Sequence, residues 1–288
     1  MSAHALTGPA TAVAAGLRTH PLRDSATMLR RNLRRMLRYP SMTVTLVGMP
    51  VVFLLLFIYV FGGTLGAGIG QLGATLPGGA LPGGGAGGRA AYVNYVAPAI
   101  ILMTVTTTVQ GTAISIAMDM SEGIVNRFRT MHIARVSVLT GHVLGSMIQA
   151  AVSVAVVIGV ALLVGFRPTA GPVGWLGAAG FLLVVTFALV WLSVALGQVS
   201  RSVETASNLP MPLILLPLLG SGFVPTDSMP AGLRWFAEYQ PFTPIIETLR
   251  GLLMAEPVGR NGWIALAWCA AIALGGYLWS KRLFNREP

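Results

Sequence analysis

Residues 173–199 read VGWLGAAGFLLVVTFALVWLSVALGQV, 27 residues without a single Asp, Glu, Lys or Arg. A helix rises 1.5 Å per residue, so roughly 20 apolar residues cross a hydrocarbon core of about 30 Å, and this run is long enough to do so with a tilt. Its apolar residues are continuous rather than alternating, which selects a helix over a barrel strand as the way to satisfy the backbone in lipid. Working outward, similar runs occupy about 42–61, 92–118, 138–166 and 262–280, with a tight turn over 166–172. A further run at about 208–224 carries Pro210, Pro212 and Pro217. Those prolines are expected to kink or break it, which a membrane tolerates where neighbouring helices or a cavity re-satisfy the freed carbonyls. The pattern predicts an all-α polytopic membrane protein with six transmembrane helices.

Composition agrees. Of 288 residues, 54% are hydrophobic and 10% charged, and the mean hydropathy is +0.73, so the charged surface of a water-soluble domain is missing. The net charge of +10 does not point to nucleic acid, because the arginines sit in short clusters between apolar runs with no interleaved aromatics. Cys269, the one cysteine, lies inside an apolar run; a disulfide within the chain is impossible and no metal site is expected. In residues 1–23 the basic residues follow a weakly apolar stretch instead of preceding it, the wrong order for a cleavable signal, so a disordered cytoplasmic tail is expected. Residues 24–40 place Leu29, Leu33, Met36 and Leu37 on one helical face and Arg30, Arg31, Arg34, Arg35 and Arg38 on the rest. With anionic lipid nearby, that apolar face favours a helix lying on the membrane over a solvated basic helix, and Pro40 marks its end. Residues 41–288 then form one transmembrane domain.

Between the first two runs, 13 of the 27 residues from Gly62 to Gly88 are glycine, the composition of a flexible loop. Gly68, Gly70 and Gly73 have dinucleotide-loop spacing, but no strand precedes them and no acidic residue follows at the required distance. Six crossings put both termini on one side. With the termini inside, 14 of the 19 basic residues are cytoplasmic and 5 are outside, as the positive-inside rule requires of a bacterial cell-membrane protein.

Chemistry concentrates in two connections. From Asp119 to Arg135 both signs of charge surround apolar residues, including Glu122, Gly123, Arg127, Phe128, Arg129, Met131, His132 and Arg135. This composition suits docking on another protein. The segment resembles the coupling helix of ATP-binding-cassette type-2 permeases, especially daunorubicin-resistance-type exporters: an acidic residue before glycine, an Arg-Phe-Arg run, a methionine and a further arginine, with His132 where proline is usual. A second stretch, Pro225, Pro230, Trp235, Phe236, Gln240, Pro241, Thr243, Arg250 and Gly251, is similar to the loop before the last span of that family. It predicts helices at about 231–239 and 244–254, each too short to span. Thr243 is expected to cap the second, Pro244 to open it and Glu247 to complement its dipole. In the family such helices re-enter the outer leaflet, where Arg234 with Glu238 and Glu247 with Arg250 could neutralise each other.

The resemblance runs from about Asp24 onward and implies a permease dimer, of this chain or with a similar permease, bound to two separate ATPase subunits and exporting a hydrophobic or amphipathic compound such as a drug, lipid or glycolipid. ATP and Mg are then bound by the partner, and the chain itself has no catalytic residues. Its only lysine is Lys281 and it contains no P-loop motif. Thr104, Thr108, Gly111, Thr112 and Ser115 lie roughly along one face of the second run, where they could line a pathway or serve helix packing; Asn208, beside the broken run, is similarly open. Two rival classes fit less well. An ion-coupled secondary transporter needs ionisable groups at mid-membrane, and a membrane-embedded enzyme needs a motif such as H-E-x-x-H or G-x-S-x-G; the runs contain neither. In a Cys269→Ala background, a cysteine placed near Gly83 should react with an impermeant thiol reagent from outside and one near Arg31 should not; the reverse pattern refutes this orientation.

Overall fold

The computed structural model describes residue 30 and residues 40–67, 88–121 and 135–285. Among the described residues the regular structure is all helical, with α1 (Pro40–Leu56), α2 (Arg89–Ser121), α3 (Arg135–Val164), α4 (Pro172–Val199), α5 (Val203–Asn208), α6 (Met211–Leu215), α7 (Ala231–Tyr239), α8 (Phe242–Met254) and α9 (Gly259–Asn285). Five stretches are long and apolar enough to cross a membrane: Leu46–Ala67, Arg89–Ser121, Gly141–Val164, Pro172–Val199 and Gly259–Leu283. The expected tail, the surface helix apart from Arg30 and Pro40, and the docking residues Glu122, Gly123, Arg127, Phe128, Arg129 and Met131 lie outside the described residues.

Helix α2 is the axis of the bundle. In its most apolar window 83% of residues are buried inside the protein, against 50% for α4 and 28% or less for the other three spans. Small side chains make this possible. A Cβ at Gly197 of α4 would lie 2.8 Å from the Ala113 carbonyl oxygen and 3.0 Å from the Ile116 Cβ of α2, so only glycine lets the two helices cross this closely. The same device joins α9 to α4, where a Cβ at Gly276 would lie 2.6 Å from the Leu192 nitrogen.

Paired residues fix the direction of every helix. Leu46 lies beside Gly111 and Gly62 beside Tyr92, so α1 runs antiparallel to α2. After Leu56 the chain continues through a π-helical turn, Phe57–Phe61, and remains helical to Ala67, further than the flexible loop expected from Gly62 onward. The turn presents Phe57 to Phe223, ring centroids 4.4 Å apart, and π turns of this kind commonly re-aim a side chain. Gly88 N–H then donates to the Gly66 carbonyl at 3.3 Å, so the two ends of the glycine-rich connection meet.

Helices α4 and α9 are parallel, since Leu192 pairs with Gly276 and further along the Gln198 amide donates to Ser280 Oγ at 3.1 Å. The chain between them therefore returns from the Val199 end of the bundle to the Gly259 end. Its route is residues 203–224; the run expected at about 208–224 is broken, as its prolines predicted, with two short helices, α5 and α6, followed by turns. Ser202 caps α5 by accepting from Thr205 N–H at 3.1 Å, and the prolines at 210 and 212 interrupt the ladder after it, because each lacks an N–H and clashes with the preceding turn. The segment runs beside α2: Gln110 donates to the Ser207 carbonyl at 2.6 Å and Tyr95 to the Ser221 carbonyl at 2.7 Å. From residue 110 to 95 is about 22 Å of helix axis. Gly276→Val, which drives a branched side chain into α4 backbone, should cost at least about 1 to 3 kcal/mol and lower the unfolding midpoint in detergent, whereas Gly275→Val, whose Cβ meets nothing within 4 Å, should not.

Candidate transport and coupling sites

At one end of the bundle Asp119, in the last turns of α2, faces His142 of α3, with His142 Nε2 3.1 Å from Asp119 Oδ2; the two are 3% and 6% exposed. A buried carboxylate and a buried imidazole this close stabilise one another as polar partners. The two residues bracket the segment 122–134 and tie its flanking helices together. Two turns deeper on the same seam, Thr112 donates to Ser146 Oγ at 2.8 Å. Sequence reading placed Asp119 within the connection and gave His142 no role, since a lone histidine inside an apolar run has no visible partner until α2 and α3 are laid side by side.

The threonine hydroxyls of α2 hydrogen-bond to carbonyls of the same helix. Thr104 donates to the Ile100 carbonyl at 2.8 Å, Thr108 to that of Thr104 at 2.9 Å, and Thr112 also reaches back to Thr108 at 3.3 Å. Each hydroxyl returns to its own helix, so a hydroxylated side chain can be buried without an unmet donor. All three are buried, Ser115 is half-buried and Asn208, at the end of α5, is exposed.

At the opposite end the short helices part company. Helix α7 keeps only Ala237 buried, and Trp235, Phe236 and Tyr239 are exposed, with the Trp235 and Tyr239 rings 5.4 Å apart. Amphipathic aromatics of this kind settle at a membrane–water boundary. Arg234 joins Glu238 and Asp227 at 2.7 Å each, and the bond to Glu238, then the charge of Asp227, hold its guanidinium above its ordinary pKa. Helix α8 is buried on nearly every face, against α2, α4 and α9. It opens at Phe242 after Pro241, earlier than expected, and Thr243 does not cap it. The Thr243 hydroxyl instead donates to the Ala237 carbonyl and accepts from Ser221 N–H at 3.3 Å, binding α7, α8 and the broken segment together.

Arg250 is the largest side chain fully withdrawn from solvent, at 2% exposure. Nη1 donates to Glu247 at 2.6 Å, Nη2 donates to the Tyr95 and Ser221 carbonyls at 3.1 Å, and the guanidinium carbon stands 3.9 Å from the Tyr95 ring centre. A planar cation can meet a carboxylate, two carbonyls and an aromatic face at once, which lysine could not. Gln240 and Thr243 are buried beside it, with Pro241 half-buried between them.

Between α3 and α4 lies an apolar cavity of about 290 Å³, walled by Met147, Ala151, Val154, Trp175, Ala179 and Leu182 among others. Small alanines on both helices leave the space, and exposed Ala151 and Ala179 place its opening on the flank of the bundle rather than at its ends.

Long apolar helices gathered round a buried central one define a multi-pass membrane protein. The chain belongs to the ABC-2 type transporter family, whose sequence profile matches residues 24–254. It is 29% identical over 246 residues to the daunorubicin resistance ABC transporter permease protein DrrB1 of Streptomyces coeruleorubidus, covering 85% of this chain and 76% of that one. It is 26% identical over 182 residues to the probable doxorubicin resistance ABC transporter permease protein DrrC of Mycobacterium tuberculosis, covering 62% and 65%. Arg250→Ala takes one donor from each of two carbonyls, of which Ser221 O keeps Tyr95, and removes the donor of a part-exposed carboxylate, and should destabilise the fold by about 3 kcal/mol, the low end for a broken buried pair. Arg234→Ala, on the surface, should leave the unfolding midpoint unchanged; equal shifts in the two variants would deny Arg250 its role.

Proposed function

We propose that this chain is the permease subunit of an ATP-driven exporter that moves a hydrophobic or amphipathic compound out across the cell membrane. The observation that carries the reading is the family match over residues 24–254, which spans the predicted docking segment and helices α1 to α8, the two short helices included. Both relatives named above are permeases of drug-resistance transporters, which favours drugs as the cargo class. The apolar cavity between α3 and α4, open toward the flank, suits a compound that partitions into lipid.

The energy comes from elsewhere, because the chain has no P-loop motif. Two separate ATPase subunits bind ATP and Mg and press on the connection from Asp119 to Arg135, and a second permease, the same or similar, completes the pathway. ATP binding can move the spans only through contacts that differ between the two states of the assembly. The Asp119–His142 lock supports this assignment: it makes α2 and α3 move as one with the segment between them, so a push there reaches the axis of the bundle. Six crossings with both termini cytoplasmic are supported by the parallel α4–α9 pair, the return of 203–224 along α2, and the basic residues on the inner side. Helices α7 and α8 act as an outer lid; at about 20 Å, α8 is too short to span and re-enters the outer leaflet against α2.

Aromatic and charged anchors in such an interface cost about 1 to 4 kcal/mol each when truncated. Phe128→Ala and Glu122→Arg should therefore insert and accumulate normally yet lose ATPase copurification, or hydrolyse ATP without export. Normal efflux and normal copurification in both variants at matched expression would remove the docking assignment.

A further inference from the structure

The lock around Arg250 is incompletely satisfied. Its Nε, the Ser221 hydroxyl, and both the oxygen and the nitrogen of the Gln240 amide are buried with no hydrogen-bond partner among the described residues, and the Tyr92 hydroxyl, one turn from Tyr95, is in the same condition. Arg250, Ser221 and Gln240 are each at most 5% exposed. They are also contiguous: Ser221 O accepts from Arg250 and from Tyr95, Ser221 N–H donates to Thr243, and a Cβ at Gly220 would touch both Gln240 Nε2, at 2.7 Å, and Thr243 Oγ1, at 2.8 Å. Buried polar atoms without partners are costly, and native proteins leave few of them; a cluster at one junction means that something else completes it.

We infer that ordered water occupies this junction of α2, α8 and the chain after α6, making it a hydrated polar site beneath the short helices. The unmet groups select the ligand. Arg250 Nε only donates and Gln240 Oε1 only accepts, while Ser221 Oγ and the Gln240 amide as a whole need both roles. An anion would meet the donors but face Gln240 Oε1 and the Glu247 carboxylate, which already neutralises Arg250 at 2.6 Å. A cation would face the guanidinium. Water is neutral, donates and accepts, and commonly makes about three hydrogen bonds to groups of this kind. A hydrated seam lets α8 and the broken segment exchange hydrogen bonds as they part, where a dry one would hold them fixed.

Radiolytic hydroxyl-radical footprinting of the full-length permease in lipid nanodiscs tests this, because bound water generates radicals in place. Tyr95 is buried, as is Phe166, while Tyr239 is exposed. Tyr95 should oxidise at a rate close to that of Tyr239, and Phe166, in the apolar core, should remain protected. Protection of Tyr95 at the level of Phe166 would mean that a protein group caps the cluster, and would overturn the inference. A second measurement reads the opposite sign for a dry site. Gln240→Leu deletes two unpartnered atoms, so in a dry junction it raises the unfolding midpoint. In a hydrated one it strips water of a partner and lowers the midpoint by about 2 to 4 °C. A rise would overturn the inference, and the footprint stands on the unsubstituted protein even if that variant fails to fold.

Discussion

A helix buried on all sides in a membrane protein has neither water nor lipid headgroups to satisfy it, and α2 is such a helix over most of its length. Most of what is polar on it is met by protein, the Tyr92 hydroxyl being an exception. Along the middle, threonine hydroxyls fold back on their own carbonyls, which leaves a smooth surface against which α1, α3, α4 and α8 pack. Glycine at 197 removes the last obstacle to close approach. Packing, rather than hydrophobic transfer, drives association between helices that are already in lipid, so small residues at the crossings matter more than large ones.

At its two ends α2 makes contacts of another kind. One end carries the Asp119–His142 pair and the other carries Tyr95, stacked under Arg250. Charged groups are tolerated at both places because each is paired and lies near a boundary of the bundle. The pairs differ in what they join. Asp119–His142 joins two sequential helices, α2 and α3, on either side of residues 122–134. Arg250 joins three elements distant in the chain, α2, α8 and residue 221, so it holds them against separation.

The broken passage 203–224 follows from the same constraint. A continuous helix there would close the bundle with one more smooth cylinder. Prolines at 210, 212 and 217 prevent that and leave carbonyls and turns lying along α2, where Gln110 and Tyr95 reach them. Apolar side chains on α1, α3 and α9 are exposed, as a surface facing lipid requires. The bundle is thus apolar outside as well as in its core, unlike a water-soluble fold, whose exterior is charged.

The helical class, the long spans, the placement of the short helices and the interruption at the prolines were legible in the residues, because each is a local property: run length against bilayer thickness, helix period, and proline's missing N–H. Ala231–Tyr239 was read to the residue, and the i, i+3 and i, i+4 charge pairs at 247/250 and 234/238 follow from helical spacing alone. Tertiary structure decided the rest. That α2 and not α4 is the buried axis was not legible, since α4 is the more evenly apolar run and hydropathy measures affinity for lipid, not for other helices. His142 met Asp119 and Thr243 met Ser221 across intervals of 23 and 22 residues, which no local pattern encodes. Arg250 was legible as half of an ion pair with Glu247 in a short helix; its contact with Tyr95, 155 residues away, was not, because burial depends on which helices close over a side chain and a sequence states only what that side chain would prefer.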